Sequence, residues 1–184
     1  MTSRIPRTPS DLERAGNRSL MLIETKSLPT HVARSAARLN TIGAESSGDT
    51  FLMTSYLIES AIKTIAIALQ ISLRQRAPTH AYRIGHELIR ADGLGTWESV
   101  IRESTSEPLV GFVSHQCNEL VAWATKRRSK PEDAWYKTAR TATNSLLREL
   151  GNQEEASARP ETVRELIAAF VRCLLYTSPS PRDS

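Results

Sequence analysis

Between Arg74 and Asp92 the chain concentrates side chains that can clamp phosphate or move protons: Arg74, Arg76, His80, Arg83, His86, Glu87, Arg90 and Asp92. His86-Glu87 opens as a zinc-protease helix does, where two histidines four apart hold the metal and the glutamate takes a proton from its water. The position that needs the second histidine is Arg90, so one helical turn cannot offer two imidazoles to a single zinc, and no metal site is expected. His80 and His86 are six apart, on different faces of a helix, and read as polar surface or capping residues.

The remaining motifs are as spare. Gly93-Leu94-Gly95 has the glycines of a phosphate loop, but no strand pattern precedes it and no Lys-Ser/Thr follows, so a helix stop and a tight turn explain it. Cys117 falls on an apolar stripe and reads as a buried structural thiol. His115, two positions away, does not face it on a helix, so a Cys/His nucleophile is not expected. There is no Gly-x-Ser-x-Gly elbow and no suggestive carboxylate pair, and nothing in these motifs calls for a cofactor. One dense basic run, Lys126-Arg127-Arg128-Ser129-Lys130, lies between two expected helices. Two readings compete for it: cations solvated at a helix C-terminus, or a nucleic-acid contact through Lys126, Arg127, Arg128 and Lys130.

The elements that must carry these residues are helical throughout. Ser10 and Glu13 have capping-box spacing and suggest a short helix from Asp11. Leu28, Val32, Ala36 and Leu39 recur at helical spacing until Gly43. The dominant element is FLMTSYLIESAIKTIAIALQISLRQR, opened by Asp49 and closed by Pro78. Its Leu57, Ile58, Ala61, Ile62, Ile65, Ala68 and Leu69 fill a broad apolar face. Ser55, Glu59, Lys63, Gln70 and Arg74 form a narrower polar stripe. A face that wide needs several neighbours, which predicts a bundle around one long central helix.

After Pro78 a shorter helix should run to a left-handed cap at Gly93, and Thr96 should cap the next one. Pro108 opens LVGFVSHQCNELVAWATKRR, read as one helix with Leu109, Phe112, Val113, Cys117, Leu120 and Trp123 on a buried stripe. Pro131 starts the following helix, Gly151 ends it, and Pro160 starts the last. No β-alternation persists anywhere, so the expected fold class is all-α.

Composition narrows the function classes. At 184 residues with 40% apolar and 24% charged content, the chain has room for an ordinary core. The net charge of +4 allows an acidic partner, while 5% aromatic content argues against an aromatic platform for single-stranded nucleic acid. The N-terminus lacks the apolar core of a signal peptide. The apolar stretch from Phe51 to Leu73 is interrupted by Glu59 and Lys63, so no membrane span is expected and the location is expected to be cytoplasmic.

The segment from Cys173 to Asp183 back-translates, in frame, to the end of a transposase-type sequencing adapter. Residues 173–184 are therefore set aside as an adapter-derived tail that interrupts the last helix, and protein is expected to be missing beyond it. Without that tail Cys117 is the one cysteine left, which fits a reducing compartment. The organisation expected is an N-terminal arm over 1–26, a helical bundle over 27–172 and the tail.

TSYLIESAIKTIAIALQ followed by HAYRIGHELIRADGLGTWESVI resembles the helical, HEPN-like segments near the N-termini of bacterial conflict and antiphage proteins. The likeness spans roughly Asp49 to Gly151. It implies a helical bundle beside a catalytic or NTPase module. Active members of that family carry an Arg, four to six residues and a His, which assist attack of the RNA 2′-hydroxyl on its own phosphate. Arg74, QRAPT and His80 satisfy this spacing, although the family's motif sits on later helices, where this chain offers RRSKPEDAW and no His.

The function expected is a non-catalytic regulatory or protein-interaction region at the N-terminus of a larger bacterial protein, contacting a protein partner, its own further domain or a second copy. The alternatives are a metal-independent ribonuclease using Arg74 and His80, with RNA as partner, and a helical nucleic-acid binder.

Overall fold

The computed structural model describes residues 28–42, 47–128, 133–153 and 159–177, and among these there are helices and no strand. The expected helix from Asp11, together with Gly43, Lys130 and Pro131, lies outside the described residues. The order is α1 (Thr30–Ile42), α2 (Ser47–Leu73), α3 (Pro78–Ile89), α4 (Leu94–Ser104), two 3₁₀ turns (Leu109–Phe112 and His115–Cys117), α5 (Asn118–Thr125), α6 (Ala134–Glu149) and α7 (Val163–Thr177). Two compact units divide the chain, Met1–Ser60 and Ala61–Ser184, and the boundary falls inside α2. In the first unit α1 buries Val32 and Ala36, one turn apart, as their spacing predicts.

The second unit carries the core. Its part of α2 buries Ile62, Ala66, Leu69 and Leu73 at steps of four, three and four, one stripe of a helix. Each such leucine or isoleucine contributes about 1.5–3 kcal/mol by leaving water. Ile67 and Ile71 stay about half exposed, so the broad apolar face is only partly covered. Gln70, expected on the polar stripe, is buried instead. Its Nε2 donates to the Ala81 carbonyl of α3 at 2.9 Å, which replaces the water it loses.

α7 is the element on which α4, α5 and α6 all pack. Val163 and Leu166 meet Tyr136 of α6, and farther along Cys173 meets Leu147. The helix starts at Val163, not Pro160, because Thr162 and Glu165 form a reciprocal cap. The Glu165 amide donates to Thr162 Oγ1 at 3.3 Å, while Glu165 Oε2 accepts from the amides of Glu161 and Thr162 at 2.7 and 3.2 Å. The helix also continues to Thr177, past the point where the sequence reading set the tail aside. Cys173 continues the apolar stripe and is fully buried.

Arg164 Nη1 donates to the Thr105 carbonyl, Thr105 Oγ1 and Ser106 Oγ at 3.2, 3.3 and 2.9 Å, placing a cation at the C-terminal end of α4, where unpaired carbonyls favour it.

Several sequence expectations give way to local geometry. Gly93 is extended, with φ −159° and ψ 168°, and precedes α4, so it is no left-handed cap; α3 ends at Ile89 and α4 starts at Leu94 without Thr96 as its cap. Gly151 is such a cap, with φ 79°. Its amide and that of Asn152 return to the carbonyls of Arg148 and Leu147, the paired bonds that close a helix on a left-handed residue. The single helix expected after Pro108 is broken, since Val113 and Ser114 turn extended and split it into two 3₁₀ turns and α5. Leu109 and Val113 remain buried, but Phe112 and Trp123 are turned toward solvent.

Candidate functional site

Two members of the cluster between Arg74 and Asp92, Arg83 and Glu87, are engaged in ion pairs. Arg83 Nη1 pairs with Glu87 Oε1 at 2.6 Å along α3, and its Nη2 pairs with Glu103 of α4. Arg74 is exposed just beyond α2, and His80 is exposed in the first turn of α3. Arg74 lines two clefts. One, of about 360 Å³, also has Arg76, Ser114, His115, Gln116 and Cys117 on its walls. The structure thus brings His115 and Cys117 to one cleft, because the segment is a 3₁₀ turn and not the α-helix assumed from sequence. Cys117 is half-buried, its Sγ 4.0 Å from the Ala68 carbonyl. His80 lines neither of Arg74's clefts.

The second cleft, of about 390 Å³, is a groove between α2 and α3. Its walls are Gln70, Arg74, Pro78, Ala81, Tyr82, Gly85, His86 and Ile89. α3 turns Ala81 and Ile84 into the core, yet it carries a second apolar set at Tyr82, Gly85 and Ile89. Tyr82 is 77% exposed and Ile89 86% exposed. Gly85 matters here: a Cβ at that position would sit 3.0 Å from Gln70 Nε2, so the glycine lets the amide cross beneath the groove to Ala81.

A third cleft, of about 340 Å³, is basic. Arg127 and Arg128 from the connector after α5, Lys137 and Arg140 from α6, and Glu161 ahead of α7 surround it. Of the residues read from sequence as nucleic-acid contacts, Lys126 and Arg127 are exposed and Arg128 is not. Arg128 Nη1 pairs with the buried Asp133 at 3.2 Å, its Nη2 donates to the Trp123 carbonyl at 2.9 Å, and its amide donates to the Glu161 carbonyl at 2.7 Å. Its guanidinium also lies 5.7 Å from the Trp135 ring centre. Arg127 pairs with Glu161 at 2.6 Å in the open.

Behind the cleft, Tyr136 donates its hydroxyl to the Thr162 carbonyl at 3.0 Å. Burial, with Glu165 nearby, pushes its pKa up to about 12, so it is a neutral donor at ordinary pH. Lys137 and Arg140 were missed from sequence because they sit a helix away from the basic run. Their spacing of three, which puts both on one side of α6, was the available signal.

Among the described residues no group of three or more His, Cys, Asp or Glu side chains is placed to hold a metal ion. One described helix, Gly48–Leu73, is long and apolar enough to cross a membrane by length and composition, a property it shares with core helices of soluble proteins. Compared with known proteins, the chain matches no family model, no curated protein and no solved structure.

Proposed function

We propose that the chain is a non-catalytic helical regulatory or protein-interaction region of a larger bacterial protein, of the HEPN-like kind that its central segment resembles. The supporting observation is the groove between α2 and α3, flanked by a tyrosine and an isoleucine that the fold leaves 77% and 86% exposed. Side chains of this type lose their contact with water when a partner's helix fills such a groove, and anchors of this size dominate binding energy. Arg74 and His86 at the rim would orient the partner.

The ribonuclease alternative needs Arg74 and His80 to converge on one phosphate, whereas Arg74 shares its clefts with His115 and His86.

The test is co-purification of the tagged chain from its native host, beside a Tyr82→Asp/Ile89→Asp variant and a Lys137→Asp control. A partner held by the wild type and control, and lost by the groove variant, is the expected result. The same partners on all three chains, or none on any, would sink the proposal. RNA cleavage by the wild type that a His80→Ala variant loses would move the function to the nuclease reading.

A further inference from the structure

We propose that the basic cleft between the 126–128 connector and α6 binds the phosphate backbone of a single-stranded nucleic acid, with Trp135 as a stacking surface for one of its bases. Four cations line the cleft: Arg127, Arg128, Lys137 and Arg140. Arg128 is spent on Asp133, Trp123 and Glu161, so it shapes the cleft and is not a contact. Arg127 is held by Glu161, an exposed pair that an incoming phosphate can exchange at little cost. Lys137 and Arg140 have no carboxylate partner among the described residues, and Lys126 extends the charge along the connector. Charges spread over a connector and a helix suit successive phosphates better than a single phosphomonoester.

The aromatic observation selects a single strand. Trp135 is 48% exposed, yet it is not free to swing. The Tyr136 ring meets it edge-on at 5.8 Å, and the Arg128 guanidinium lies over its face. Trp123, 38% exposed, sits where its carbonyl accepts from the same guanidinium. Two of the chain's three tryptophans therefore touch Arg128, one wall of the cationic cleft, Trp135 through its ring and Trp123 through its carbonyl, despite the low aromatic content that argued against such a platform. An indole fixed against one wall of the cleft can accept an unstacked base on the part of its ring that Arg128 leaves open and cannot reach one inside a duplex.

The experiment titrates the full chain into a fluorescein-labelled oligouridylate and follows anisotropy over a salt series, with the duplex form and a phosphoserine peptide as competitors. The wild type should bind at low salt. Lys137→Gln/Arg140→Gln should reduce the slope of log K against log salt by about 1.4, about 0.7 for each lost single-strand contact. Trp135→Ala should weaken binding roughly tenfold with the slope unchanged. Matching thermal melts for the Lys137/Arg140 variant and the wild type keep the comparison clean, and Arg127→Gln repeats it on another element. The proposal fails if the wild type does not bind at low salt, if both charge variants keep the wild-type slope, if duplex competes as well as single strand, or if the peptide displaces the oligonucleotide.

Discussion

Replacing Arg128 with methionine keeps much of the side chain's bulk and removes its guanidinium. The partner left behind, Asp133, has only 5% of its side chain exposed, against 12% for Arg128 itself. Removing one member of a buried pair costs about 3–5 kcal/mol, because the other charge stays out of water uncompensated. Asp133 keeps a further interaction, so the low end, about 3 kcal/mol, is expected.

For a chain of this length that lowers the melting temperature by about 6–12 °C. Urea unfolding followed by tryptophan fluorescence reads the change directly, with Asp133→Asn and the double variant Arg128→Met/Asp133→Leu completing a cycle. The double variant should cost less than the two singles summed, by about 2 kcal/mol or more. The exposed pair Arg127–Glu161, at 79% and 54% side-chain exposure, is the internal control and should yield at most about 1 kcal/mol. Additive singles of about 0.5 kcal/mol at Arg128 and Asp133 would refute the assignment of Arg128 as a fastener, and would return it to the cations of the basic cleft that could meet a phosphate.

Tyr136 makes stability depend on alkaline pH. Its folded pKa, about 12, lies above the ordinary tyrosine value near 10, so its contribution is complete below pH 10 and falls by about 1.4 kcal/mol per pH unit as the unfolded chain ionises first. Denaturation at several pH values should show that slope between pH 10 and 12, and an equal slope in Tyr136→Phe would rule it out. Thr162→Ala removes one half of the reciprocal cap on α7 and should cost about 1 kcal/mol. A melt unchanged from wild type would contradict the cap.

What the sequence made legible follows from periodicity. The stripes Val32/Ala36 and Ile62/Ala66/Leu69/Leu73 are buried because apolar residues recurring every three or four positions have one way to leave water together. Gly151 was legible for a related reason, since a glycine just past the last periodic residue closes a helix at φ 79° without a Cβ clash. Position along the chain did not reveal which polar groups would be claimed by distant partners. Gln70 reads as surface by its wheel position and is buried because Ala81, eleven residues on, offers a carbonyl. Thr162 and Glu165 do carry the capping-box spacing, but Pro160, two residues ahead, is itself a first-turn signal and competes with them for the helix start. The stretch after Pro108 has helical apolar spacing, but spacing does not register Ser114 turning extended, so Trp123 was assigned to the core.

The same limit explains why the candidate site moved. Residue types that suggest chemistry in a sequence are also the types that join helices, and the fold uses many of them for that purpose. Arg83 ties α3 to α4 through Glu103, Arg164 ties α7 to the end of α4, and Arg128 ties the connector to Asp133 and Trp123. An arginine with several protein acceptors would have to break them before reaching a ligand, which makes it a poor first contact. Groups that do not fasten helices are better candidates for meeting a partner. On α6 they are Lys137 and Arg140, which line the basic cleft; on α3 they are Tyr82 and Ile89, an aromatic and an aliphatic facing water above a groove. Because the two sets lie on different helices and respond to different forces, salt should weaken binding at the first and leave binding at the second nearly unchanged. A single salt series on both ligands therefore separates the two surfaces, and equal salt sensitivity at both would mean that charge, not apolar burial, also governs the groove.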